Sequence, residues 1–104
     1  MMRIEAIVRR EKKWEVAGEL MRAGIPYTLF DVEGIGGQLG VTQVEGRSFQ
    51  YPFHEKSAFI IVVPEEDVDR VCRVIVNSAY TGRPGDGKIF VSEVKRSIKI
   101  RTAR

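Results

Sequence analysis

Cysteine and histidine are nearly absent from this chain: Cys72 and His54 are the sole examples among 104 residues. A single cysteine excludes an internal disulfide and a multi-thiolate metal centre. Cys72 sits among apolar residues of a helical pattern, where it reads as a small buried hydrophobe rather than a reactive thiol. A single histidine cannot supply a multi-histidine metal site, and no serine or cysteine is visibly paired with His54 for nucleophilic chemistry. Enzyme activity is therefore not expected. Long hydrophobic runs are missing too: no stretch approaches the roughly 20 apolar residues that cross a bilayer. The opening Met1-Met2-Arg3-Ile4-Glu5 lacks the apolar core of a signal peptide. The expected location is the cytoplasm, with no direct membrane insertion.

What is present suits one globular domain spanning residues 1–104, since 43% of the residues are hydrophobic. The net charge is +3, and part of it lies in the tail from Lys95 to Arg104, which carries five basic residues and no acidic one. Such a tail suits phosphate or nucleic acid, and equally a solvated strand edge.

Periodicity divides the chain into short elements. Ile4 to Val8 has strand character, and residues 11–23 read as a helix, with Trp14, Ala17, Leu20 and Met21 forming its apolar stripe. Gly24 is the expected helix stop. Tyr27 to Glu33 is a second strand, ended or bent by Gly34-Ile35-Gly36-Gly37, and Gln38 to Val41 is expected to pair back across that turn. From Thr42 to His54 the periodicity fades into an exposed excursion. Phe49, Tyr51 and Phe53 give it the look of a partner-contact surface, and they suit a core or subunit interface as well.

Ala58 to Val63 is almost entirely apolar, as expected of a central strand. Pro64 and the acidic residues 65–67 lead into a helix whose stripe is Val68, Val71, Cys72, Ile75 and Ala79. Lys88 to Val94 and Ile98 to Ile100 are the last predicted strands. The order β-α-β-β-α-β predicts an α+β, ferredoxin-like sandwich: a four-stranded antiparallel sheet with two helices on one face. Apolar residues on both strand faces imply that the open face is buried by self-association.

Between the second helix and the next strand lies Thr81-Gly82-Arg83-Pro84-Gly85-Asp86-Gly87-Lys88-Ile89-Phe90. Glycines let backbone N–H groups approach a ligand that a Cβ would exclude, and successive N–H groups form a nest for an anion. Lys88 adds a positive charge at the exit. By themselves, Gly85 and Gly87 also fit a plain turn, Asp86 a turn cap and Lys88 a solvated strand residue.

Taken with Ile4-Glu5-Ala6-Ile7-Val8-Arg9 and Gly34-Ile35-Gly36-Gly37-Gln38, this run resembles the PII signal-transduction family, the nitrogen regulatory proteins, and fills every fixed position of the pattern T-G-x-x-G-D-G-K-I-F. The resemblance implies a compact homotrimer of ferredoxin-like subunits with nucleotide sites between neighbours. It implies ATP or ADP as ligand, with Mg2+ and 2-oxoglutarate as further ligands. Gly85, Asp86, Gly87 and Lys88 then correspond to the phosphate-binding loop, and Thr28 with the backbone of Gly34, Ile35 and Gly36 to part of the adenine pocket. Arg101 and Lys99 take the places of two arginines, one of which reaches the nucleotide from the neighbouring subunit; lysine at 99 keeps the charge and loses the planar donor fork. Gln38 matches a residue that seats the metal and the keto acid, and Lys56 the partner of the keto acid's distal carboxylate. Residues 42–54 match the T-loop that reaches into target proteins.

The departures from the family pattern are specific. The T-loop is slightly shorter and lacks the usual sequence, with Phe49 or Tyr51 nearest the tyrosine that other members modify. Gly37 replaces an arginine, and Ile60 a glutamate associated with adenine recognition. The resemblance implies a regulator that senses adenine nucleotide and 2-oxoglutarate and controls, through the T-loop, an ammonium transporter or an enzyme of nitrogen metabolism. Two readings stand beside it: a divergent sensor of another metabolite, motivated by Gly37, Ile60 and Lys99, and an RNA-binding ferredoxin-like module, motivated by the basic tail. The third-strand run Phe59 to Val63 is aliphatic apart from Phe59 and the tail has no aromatic, so a nucleic-acid partner is not expected.

Overall fold

The computed structural model describes the backbone of residues 1–34, 40–44, 47–51 and 54–104, and the side chains of residues 1–34 and 54–104. Strand β1 (Met2–Arg9) runs into a 3-10 turn (Arg10–Lys12) and helix α1 (Lys13–Arg22). Strands β2 (Thr28–Gly34), β3 (Gly40–Val44), β4 (Arg47–Tyr51) and β5 (His54–Val63) follow, then a 3-10 turn (Glu65–Asp67), helix α2 (Val68–Ala79) and strand β6 (Gly87–Glu93). The main sheet has the order β2-β5-β1-β6, with every neighbouring pair antiparallel. This is the predicted ferredoxin-like arrangement.

Alternation along the strands decides what is buried. Ile4, Ala6 and Val8 of β1 and Phe59, Ile61 and Val63 of β5 face Val16, Ala17 and Leu20 of α1 and Val71, Ile75 and Ala79 of α2 in one apolar cluster. Each large side chain fully withdrawn from water, such as Phe59 or Leu20, contributes about 1.5–3 kcal/mol. Tyr27 meets the Phe59 ring edge-on at a centroid distance of 5.4 Å. The other sheet face carries Phe30, Ile60, Val62, Ile7 and Phe90, of which Phe30, Val62 and Phe90 are about half exposed.

Helix α1 differs from its predicted stripe. Trp14 is 73% and Met21 70% exposed, and the buried positions are Val16, Ala17 and Leu20. All of these residues lie within α1, so the helix's own periodicity sets its faces: Val16, Ala17 and Leu20 share the inward side, and Trp14 turns out to meet the Lys13 ammonium, 5.0 Å from its ring centroid. The end of α1 is as predicted: Gly24 adopts a φ of 71°, Ile25 N–H donates to the Leu20 carbonyl and Gly24 N–H to that of Met21.

Two other expectations are corrected. The strand foreseen at Gln38 to Val41 is Gly40–Val44, and it pairs with β4 rather than back onto β2, so residues 40–51 contain a separate antiparallel ribbon in the register Gly40↔Tyr51 to Val44↔Arg47. Ile98 to Ile100 is not a strand: after β6 the chain runs irregularly to a 3-10 turn (Ile100–Thr102), with Ile98 and Ile100 exposed. A strand needs a ladder, and the main sheet ends at β6. No described helix is long and apolar enough to cross a membrane.

Candidate functional site

The strand register collects charge at one end of the sheet. Arg9 stands opposite Lys56, Val8 opposite Gly87 and Gly34 opposite His54. The ends of β1 and β2 and the starts of β5 and β6 therefore meet where residues 80–87 arrive from α2. Gly82, Gly85 and Gly87 in that loop have φ of 83°, 99° and 106°, values that side-chain-bearing residues rarely adopt. Gly87 is also sterically required, since a Cβ there would lie 1.7 Å from the Ile7 carbonyl oxygen.

Asp86 is the hub of the loop. Its Oδ2 accepts from the backbone N–H of Thr81 (2.8 Å) and Gly82 (2.9 Å), and its Oδ1 accepts from the Thr81 hydroxyl and from Arg9 Nε (2.9 Å). Those bonds, led by the Thr81 hydroxyl and backbone and joined by Arg9 and Gly82, hold its carboxyl well below the usual carboxylate range, against the opposing effect of desolvation. The carboxylate thus folds the loop back on itself and ties it to β1.

Two cations complete the tie. Arg9 Nη2 donates to the Pro84 carbonyl at 2.6 Å, and Lys56 Nζ donates to the Gly85 carbonyl at 2.5 Å. Burial, then the Arg9 charge, lower the Lys56 pKa, while Asp86 acts against them. Glu11 lies between Arg9 and Arg83, 3.9 and 3.8 Å from them.

The segment that leads into the ribbon is fixed separately. Arg10 Nη2 donates to the Val32 carbonyl at 2.9 Å, and its Nε to the Lys56 carbonyl at 3.3 Å. Asp31 accepts from buried Ser57 Oγ at 2.8 Å and from Lys13 at 3.1 Å, which holds its carboxyl below the ordinary value. A cleft of about 250 Å³ at this end is lined by Arg9, Arg10, Glu11, His54, Glu55 and Lys56. His54 Nε2 is shielded there, with no hydrogen-bond partner among the described residues. A second cleft of about 290 Å³, mostly apolar, lies between Ile7, Val76, Tyr80 and the loop residues Asp86 to Lys88.

Of the residues named from sequence, Gly34, Lys56, Gly85, Asp86, Gly87 and Lys88 come together at this end. Lys88 is exposed on the face away from the helices, opposite Ile7. Thr28 stands apart, in register with Ile60, which faces Glu5, which faces Phe90. Lys99 and Arg101 follow the far end of β6 and are exposed; among the described residues no hydrogen bond or ion pair joins them to the loop. Ile35, Gly36, Gly37, Gln38 and Phe53 lie outside the described residues, as do the side chains of Phe49 and Tyr51, whose backbones lie on β4. Sequence reading missed Arg9 as a loop anchor. An aspartate between two glycines needs donors, but nothing local points to a residue 77 positions away.

The sequence matches the family model of the nitrogen regulatory protein P-II over residues 1–104. The chain belongs to this family. It is 46% identical over 104 residues to nitrogen regulatory protein P-II 2 of Methanothermobacter thermautotrophicus, spanning 98% of this chain and 90% of that protein. It is 45% identical over 103 residues to nitrogen fixation nifHD region GlnB-like protein 1 of Methanothermobacter marburgensis, spanning 98% and 95%. A nitrogen regulatory protein P-II of Cyanidium caldarium is 41% identical over 102 residues, spanning 96% and 90%. P-II proteins are regulators and not catalysts, so this chain is not an enzyme.

Proposed function

We propose that this P-II chain senses an adenine nucleotide, ATP or ADP, whose phosphates rest on the loop from Gly85 to Lys88, and that it passes ligand state to a partner protein through the ribbon at residues 40–51. The observation that carries this is the orientation of two peptide units. In a trans peptide the C=O and N–H point in opposite directions. With the Pro84 and Gly85 carbonyls held by Arg9 and Lys56, the N–H groups of Gly85 and Asp86 face away from those cations, as a phosphate-binding nest requires.

The partner is an ammonium transporter or a nitrogen-metabolism enzyme; the names of the relatives, which speak of nitrogen regulation and nitrogen fixation, support that range. The apolar sheet face with Phe30, Val62 and Phe90 supports a homotrimer, in which Thr28, Lys99 and Arg101 reach a nucleotide shared with a neighbouring subunit. Lys56 answers the distal carboxylate of 2-oxoglutarate in this reading. Asp86 has both oxygens filled by internal donors and is not offered as a metal ligand. Among the described residues no cluster of three or more histidine, cysteine, aspartate or glutamate side chains is placed for one. Mg2+ is therefore assigned to the nucleotide phosphates and the Gln38 amide. Ile60 beside Thr28 favours, as the second reading, a metabolite other than ATP or ADP in the same pocket.

Calorimetric titration of the full chain with ATP, ADP and AMP, with and without Mg2+ and 2-oxoglutarate, tests this. Saturable ATP or ADP binding is expected. Absence of heat with every adenine nucleotide at millimolar concentration rejects it.

A further inference from the structure

We infer that Arg9 and Lys56 are positioning residues of the phosphate loop, holding two successive peptide units in the orientation that receives phosphate. The inference rests on the nucleotide reading for its ligand. It adds to Lys56 a task that exists before any carboxylate arrives.

Three observations meet here. Arg9 and Lys56 are cross-strand partners at the end of β1 and the start of β5, so the sheet fixes their spacing. Each donates to a different carbonyl, and those carbonyls, of Pro84 and Gly85, belong to consecutive peptides. Arg9 uses a second nitrogen on Asp86, whose carboxylate already gathers Thr81 and Gly82. Gly85, at a φ of 99°, has a backbone free to take other conformations. Without a grip on its carbonyl, nothing in its own chemistry keeps the 85–86 peptide turned one way. Two like charges face each other across the rung; the Asp86 carboxylate and the two carbonyl dipoles offset that repulsion.

The experiment compares Lys56→Met with Lys56→Gln, and Arg9→Gln with Arg9→Lys, measuring ATP and adenosine affinity with 2-oxoglutarate omitted. The expected result is about a tenfold loss for ATP in Lys56→Met with adenosine unchanged, and recovery to within about threefold in Lys56→Gln, whose amide is a neutral donor to the same carbonyl. Arg9→Lys, which keeps the charge but serves only one of the two acceptors, is expected to recover part of the loss in Arg9→Gln. Equal losses in Lys56→Met and Lys56→Gln would mean that charge alone acts and would overturn the proposal; so would wild-type ATP affinity in all four variants. The amide resonances of Gly85 and Asp86 in the ligand-free variants give an independent readout. They are expected to move in Lys56→Met and to return in Lys56→Gln, and unchanged resonances overturn the positioning role. If the wild type binds no ATP, the nucleotide reading fails, and the amide shifts still decide whether the two cations hold the loop.

Discussion

The loop at residues 81–87 and the ribbon of β3 and β4 both project from the main sheet, yet they are held in different ways. Residues 81–87 are bound to the sheet by side chains: Asp86 collects four donors, and Arg9 and Lys56 reach into the loop from two strands. The ribbon is held by its own ladder, from Gly40↔Tyr51 to Val44↔Arg47, and adds no strand to the main sheet. A loop tied in this way keeps one geometry, which is what the proposed ligand site requires. A ribbon with a separate ladder suits the partner-contact role proposed for it.

The sharpest way to break the tied region is Gly87→Ala. Its Cβ would be driven into the Ile7 carbonyl at a backbone angle that alanine avoids, so β6 must leave β1. A loss of about 3 kcal/mol or more is expected in denaturant unfolding; a near-neutral result would show that the strand ends yield easily. Next comes Asp86→Asn. A carboxyl whose pKa falls on folding adds stability that is fully present above its unfolded value near ~4 and is lost as the pH drops below that value toward the folded one. The wild-type Tm should therefore decline from about pH 4 downward. Asp86→Asn should lower the neutral-pH Tm and flatten the acid limb, leaving the part due to Asp31, which has the same sign. An unchanged acid limb would remove Asp86 from the account.

The smallest effect is expected in the ribbon. Replacing residues 42–49 by a short Gly-Ser link should change the unfolding free energy by less than about 1 kcal/mol and leave ATP affinity intact, while abolishing control of the partner. A larger loss of stability would mean that the ribbon supports the sheet, and the contrast between the two regions would fall.

The same contrast explains what the sequence disclosed. Strands β1 and β5 were legible because a continuous or alternating apolar pattern has to face a core, and Gly24 and the loop glycines because few other residues tolerate their backbone angles. The ribbon was not, since Gly40–Val44 and Arg47–Tyr51 pair only with each other and their sequences show no sustained apolar run. Trp14 misled because its spacing from Ala17 and Leu20 also fits the border of the inward side, whose centre is filled by Val16, Ala17 and Leu20. In the candidate site, the loop and Lys56 were visible through the family pattern. Arg9 was not, because its role exists only once β1 and the loop have met.

That meeting is measured out by residues that touch no ligand. Arg9 faces Lys56 only because Ile4 pairs with Ile61 and Ala6 with Phe59 further along the same two strands. Side chains alternate, so a slip of one place would set Arg9 against Glu55 or Ser57 and turn Lys56 toward the helices. The buried apolar row serves as a ruler whose last mark is the loop at residues 81–87. A core substitution that shifted this pairing would first be noticed as a protein that folds and no longer recognises its ligand.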